Sequence, residues 1–174
     1  MKYSIVFVAI MIVMTYAHFD FSHHQNGHQL TVTLKDETQK IWVVFVEKND
    51  PAKTDLLNKN KDLKNKIKQR IYNEDVYYTE LDLFDAKNQK VKDYDEFISL
   101  VGIKSELSRL DEGPIVALVY NKKGFWIHGE GIPQETVDTI HAFILQKQDS
   151  QTKNKPISIG GPTNHPSSFT SFEN

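Results

Sequence analysis

The chain has no cysteine. That absence excludes disulfides, thiol catalysis and thiolate metal sites, and leaves the redox compartment open. A predominance of either charge is also missing: 21 basic residues stand against 23 acidic ones, for a net charge of −2. Such a balance gives no global reason to expect nucleic-acid binding. No Asn-X-Ser/Thr acceptor occurs, so glycosylation says nothing about compartment. An Arg-rich, Ser-rich, acid-poor transit peptide is not visible either. What remains, in 174 residues with 39% hydrophobic composition, is one domain with appendages and enough apolar material for a core.

The central stretch runs from Gly113 to Gly131 and reads as a β-hairpin. Ile115 to Tyr120 is apolar, β-branched and aromatic, of strand length. Asn121-Lys122-Lys123-Gly124 is turn chemistry, which predicts a type I turn closed by a glycine bulge. Phe125 to His128 returns as the second strand. Pro133 suits a first helical position, and Val137, Ile140 and Ile144 share one face of the helix that follows.

Upstream, Ser4 to Ala17 is almost wholly apolar and follows Lys2. Residues 1–21 therefore fit a signal peptide cleaved after Ala17, a retained membrane anchor spanning residues 3–21, or a buried helix. The anchor is the leading reading. Residues 22–29 form a His-rich linker; His18, His23, His24 and His28 are transition-metal ligand types, but their spacing matches no zinc motif. Leu30 to Leu34 alternates apolar residues with threonine and predicts a short strand opening a domain over 30–147. Ile41 to Val46 is apolar without alternation, the pattern of a strand buried on both faces.

Asp50-Pro51 predicts a cap and first turn for a long helix carrying Leu56, Leu63, Ile67 and Ile71. Residues 53–70 of that helix hold seven basic and two acidic side chains, a net of +5. Lys59, Lys64 and Lys68 avoid its apolar face, and they read either as a docking surface for anionic partners or as a solvated face. No aromatics interleave them, which argues against nucleic acid. Val76 to Leu83 is a further strand; Asp93 predicts a helix cap, Gly102 a helix stop, and Ile103 to Leu110 a short helical turn. Asp82, Asp85, Asp93 and Asp95 lack calcium-loop spacing. Residues 148–174 form a polar tail with scattered Ile157, Ile159, Phe169 and Phe172.

This order of elements resembles the thioredoxin-like fold over about Leu30 to Lys147. The buried strand Ile41–Val46 entering a helix, Leu81-Asp82-Leu83 ending the next strand, Gly113-Pro114 opening another, and the hairpin turn carry the resemblance. It implies an α/β class with a central mixed sheet flanked by helices, plus an N-terminal hydrophobic helix and a polar C-terminal tail. It also implies a cis peptide bond before Pro114. The family's Cys-X-X-Cys pair, activated at a helix N-terminus, falls here on Asp50, Pro51, Ala52 and Lys53. Dithiol chemistry is thereby removed. His128 and His141 stand alone on a strand and a helix, so no convergent catalytic set is legible.

The expectation is a redox-inactive, membrane-anchored accessory subunit of a larger assembly, in the mitochondrial inner membrane or the secretory pathway. Its partners would be proteins and, through residues 3–21, the membrane. No cofactor, nucleic acid or small-molecule substrate is implied. The alternative is a soluble, non-catalytic relative of protein disulfide isomerase domains, holding polypeptide near Pro114, Phe125 and Trp126.

Overall fold

The computed structural model describes residues 20–21, 24, 26–85, 89–129, 133–153 and 167–169. Its strands are β1 (Asp20–Phe21), β2 (Ile41–Glu47), β3 (Val76–Asp82), β4 (Ile115–Tyr120), β5 (Lys123–His128) and β6 (Ser167–Phe169). Its α-helices are α1 (Gly27–Asp36), α2 (Thr54–Ile71), α3 (Gln89–Asp93), α4 (Asp95–Leu100) and α5 (Pro133–Lys153), with a 3-10 helix over Lys104–Asp111.

The sheet order is β1-β3-β2-β4-β5-β6. β1, β3 and β2 run parallel, and β4 is antiparallel to β2. β5 and β6 each reverse against the strand before them in that order. The fold is α/β, a mixed sheet flanked by helices. All seven residues of β2 are buried, as its unbroken apolar run predicts. Trp42, Val44 and Val46 face one core with α1, α4 and the 3-10 helix. Ile41, Val43 and Phe45 face a second core, closed by Leu63, Ile67 and Ile71 of α2 and Val137, Ile140, Phe143 and Ile144 of α5.

Several expectations are corrected. Leu30–Leu34 is helix, not strand: it lies inside α1, which buries Gly27, Leu30, Thr31 and Leu34 on one face. A strand would have buried Val32 beside Leu30 and Leu34, whereas the helix leaves it 40% exposed. Asn26 starts this helix by accepting from the Gln29 N–H at 2.9 Å. Gly27 is required there, since a Cβ would stand 2.7 Å from the Tyr94 Cα.

The hairpin turn contains two residues, not four. Asn121 and Lys122 have φ of 50° and 58°, and Tyr120 pairs with Lys123. This is the type I′ pattern, whose twist matches the strands it joins. Gly124 is therefore an ordinary strand residue opposite Val119.

The peptide bond before Pro114 is trans, since no described bond is cis. The cis expectation fails because nothing here overrides the intrinsic trans preference of about 0.5–1 kcal/mol. Asp50 caps a turn, not the helix: its side chain accepts from the Ala52 N–H, and α2 begins only at Thr54. Asp93 ends α3, and Tyr94 occupies the N-cap of α4. Gly102 (φ +70°) follows α4 as the expected stop.

Residues 3–19 of the expected apolar span lie outside the described residues, while Asp20 and Phe21 form β1 on the sheet edge. Among the described residues no helix is long and apolar enough to cross a membrane. At the other end α5 continues to Lys153, and residues 167–169 of the polar tail join the sheet.

Candidate functional site

The parallel strands β2 and β3 end side by side, and the loop leaving β2 carries Asp50, Pro51, Ala52 and Lys53. Parallel strands point their C-terminal ends the same way, so side chains from both converge there. Asp82 closes β3: one of its oxygens accepts from the Asn49 N–H at 3.0 Å and from the Phe84 N–H at 2.9 Å. It thereby ties the loop after β2 to the loop after β3. Beyond it, Asp50 accepts from the Lys53 amide through its own carbonyl at 2.9 Å. Pro51 and Ala52 are exposed between them.

Lys48 and Lys53 then reach one carboxylate, Asp111, at 3.1 and 3.0 Å. The Lys53 ammonium, with Lys48 behind it, holds the Asp111 carboxyl below its usual range. Asp111 precedes Pro114 by three residues. Ion pairs thus join Lys48 and Lys53 to the segment that leads into Pro114. An open cleft of about 440 Å³ beside them is lined by Lys53, Thr54, Lys59, Asp111 and Glu112. Its charges are mixed, with Lys53 and Lys59 beside Asp111 and Glu112.

Beneath this surface lies a charged layer between sheet and helix. Glu47, 3% exposed, sits on the β2 face that α2 covers. Lys64 contacts Glu47 at 2.5 Å and Glu80 at 3.0 Å, and Lys68 contacts Glu80 at 2.5 Å. Burial works against the Lys64 charge, but the Glu47 and Glu80 carboxylates outweigh it and raise the Lys64 pKa. Burial also opposes ionisation of Glu80, yet Lys68 and Lys64 lower its pKa overall. The Tyr78 phenol, buried and beside Glu80, has its pKa raised and stays protonated.

Lys64 and Lys68 are therefore not a docking row. Their ammonium groups turn toward the sheet and are neutralised within the chain, and Lys66 pairs with Asp62 along the helix. Lys59 remains exposed on the cleft rim. Reversing Lys64 would not leave folding intact, because it would set a third carboxylate beside Glu47 and Glu80. The warning lay in the spacing: Asn60, Lys64, Ile67 and Ile71 fall on one helical stripe, and Asn60 is itself 1% exposed. Glu47 was legible only as the first charge after an apolar strand. Asp111 carried no local signal.

Phe125 and Trp126 do not form a surface with Pro114. Successive strand residues point to opposite faces. Phe125 packs edge-on against Phe143 of α5 at 5.0 Å, while Trp126 enters the other core at 6% exposure. Pro114 lies near Gly129, past the opposite end of β5, where the Gly129 N–H donates to the Pro114 carbonyl at 2.7 Å.

The histidines also have structural partners. The His128 Nε2–H donates to the Arg109 carbonyl at 2.9 Å. His141 contacts Glu74 at 3.1 Å, and His28 contacts Glu96 at 2.9 Å. His24 stands 5.8 Å from the Trp42 ring; His18 and His23 lie outside the described residues. Among the described residues no group of three His, Asp or Glu is placed to hold a metal. The four aspartates of the acidic group serve locally: Asp82 holds loops, Asp85 accepts from the Gln89 N–H, Asp93 accepts from the Gln89 amide, and Asp95 meets Lys104. Compared with protein-family models, with curated proteins and with solved structures, the chain matches none.

Proposed function

We propose that this chain is a thioredoxin-like module without dithiol chemistry, held at a membrane by its N-terminal apolar segment and serving as a non-catalytic accessory subunit of a protein assembly. The strand order β3-β2-β4-β5, with helices on both faces, supports the family resemblance. The trans bond before Pro114 departs from the family's pattern. One observation carries the non-catalytic reading. Just after β2 and at the start of α2, where that family keeps its thiols, Lys48 and Lys53 are engaged by Asp111. The side chains best placed for chemistry hold loops together instead.

The apolar run Ser4–Ala17, followed closely by Asp20–Phe21 of β1 on the sheet edge, supports the anchored reading. An anchor joined so closely would hold the domain against the bilayer with little freedom. The mitochondrial inner membrane and the secretory pathway both suit such a subunit. The soluble secretory module is the second reading, but burial of Trp126 removes one of the aromatic contacts it relied on.

Purification of the native protein in mild detergent, followed by intact-mass measurement, tests the proposal. A species retaining Met1 that co-migrates with stoichiometric protein partners is the expected result. A free, detergent-independent species beginning at His18 overturns it in favour of the soluble module. Turnover of a disulfide substrate by protein freed of oxidoreductases overturns the non-catalytic reading.

A further inference from the structure

β1 runs parallel to β3 and pairs Asp20 with Tyr77, so its N-terminal side points to the end of the sheet where β2 and β3 begin. The apolar run closes at Ala17, three residues earlier, and three extended residues reach at most about 11 Å. A membrane-inserted Ser4–Ala17 therefore brings this end of the sheet, and not the other, to the bilayer surface. The β4–β5 turn lies at the same end, because β4 is antiparallel to β2 and the Asn121 N–H donates to the Thr38 carbonyl at 3.1 Å. So does the loop from α2 to β3, and α5 reaches that loop where His141 contacts Glu74 at 3.1 Å. α1 also closes there, at Asp36, five residues before β2.

A second observation is independent of the anchor. Among the described residues the exposed large hydrophobic side chains are Val32, Tyr72 and Leu145, at 40, 68 and 44%. All three belong to this end. Val32 stands one turn before the close of α1, Tyr72 directly after α2, and Leu145 one turn beyond His141 on α5. Lys122 and Lys123 are exposed on the β4–β5 hairpin that turns there. The opposite end carries the mixed-charge cleft of Lys53, Lys59, Asp111 and Glu112 instead.

We propose that the end of the sheet where β2 and β3 begin lies against lipid headgroups, with Val32, Tyr72 and Leu145 in the interfacial layer and Lys122 and Lys123 reaching headgroup phosphates. This contact deepens the anchored reading and rests on it. Tyrosine suits the layer because its ring is apolar and its hydroxyl is not. Lysine suits it because a long apolar stem carries the charge outward. Asp36 and Glu37, exposed at the same end, offset the two lysines. The short tether and the apolar side chains therefore set the orientation, not net charge. The seven residues of β2 measure roughly 23 Å at ~3.3 Å per residue, so the cleft end stands clear of the headgroups, open to protein partners.

The chain has no cysteine, so Tyr72→Cys, Lys122→Cys and Glu112→Cys each create a single labelling position in the full chain. All three residues are exposed, and Glu112 lies at the cleft end. Each variant, carrying a fluorophore, is reconstituted into phosphatidylcholine vesicles containing a headgroup nitroxide lipid. Labels at 72 and 122 are expected to lose most of their fluorescence relative to nitroxide-free vesicles, and the label at 112 to keep most of it. A second readout needs no variant. In wild-type protein in vesicles, acylation of Lys122 and Lys123, read by mass spectrometry, should be several-fold slower than that of Lys59 and Lys61, which are likewise exposed.

Equal signals at the three labels, stronger quenching at 112, or equal acylation of the two lysine pairs would each overturn the headgroup contact. If the chain still floats with the vesicles in those cases, the anchor stands and only the orientation is refuted. A chain that does not float with the vesicles overturns the anchor and the contact together.

Discussion

Replacing Lys64 by alanine is expected to be as damaging as truncating a core residue of α2, although Lys64 belongs to that helix's polar sequence. The Lys64 side chain is 16% exposed and lies against Glu47, whose side chain is 4% exposed. Removing the cation leaves the Glu47 carboxylate buried without its nearest counter-charge and strips one of two lysine partners from Glu80. Breaking a buried pair in this way costs about 3–5 kcal/mol, far more than losing an exposed pair at about 0.2–1 kcal/mol. At about 2–4 °C per kcal/mol for a chain of this size, the melting temperature should fall by about 6–20 °C.

The pH dependence has a definite sign. Glu80 has a lowered folded-state pKa, so its contribution is present above its ordinary value of 4.5 and is lost as pH falls through the folded value. Lys64 has a raised folded-state pKa, so its contribution is complete below its ordinary value of 10.5 and is lost as pH rises above it. The gap between wild type and Lys64→Ala should therefore be widest between those limits and narrow toward acid and toward strong base. Urea denaturation followed by circular dichroism at several pH values measures it. Lys59→Ala, on the exposed side of the same helix, should stay within about 0.5 kcal/mol of wild type and serves as control. A Lys64→Ala protein unfolding within about 1 kcal/mol of wild type at neutral pH would refute the argument that Glu47 depends on it.

Three further outcomes follow from local geometry. Gly27→Ala should destabilise the domain by about 1–3 kcal/mol despite alanine's better helix propensity, because the new Cβ would meet Tyr94 backbone at 2.7 Å; thermal denaturation checks this. Lys122→Gly should stabilise by about 1 kcal/mol, since Lys122 holds φ of 58° where glycine bears no Cβ penalty; a lowered urea midpoint would contradict the type I′ assignment. Reversal of Lys59 and Lys61 to glutamate, both exposed, should leave the unfolding transition in place and weaken association with the proposed assembly, more so at low salt; equal recovery in a low-salt pull-down would make that face merely solvated.

The parts legible in the sequence are those whose side-chain pattern admits one environment. An unbroken apolar run of strand length and rich in β-branched residues, such as Ile41–Val46, reads as a strand with both faces covered, and Val137, Ile140 and Ile144 as the inner face of a helix. The absence of cysteine, with its chemical consequence, needs no coordinates at all. Leu30–Leu34 was ambiguous because five residues fit both periods. Tertiary packing chose the helix, which meets α4 and leaves Val32 outside. Composition could not tell a solvated lysine from a buried one. The long Lys64 side chain turns inward because β2 and β3, far apart in sequence, set Glu47 and Glu80 beneath it. Asp111 joins Lys48 and Lys53 for the same reason: the ion pair exists only once β4 lies against β2. Local spacing thus determined most of the elements, with Leu30–Leu34 the exception. Long-range strand pairing decided which charges meet, which aromatic is buried, and which sheet edge the chain's own tail reaches to cover.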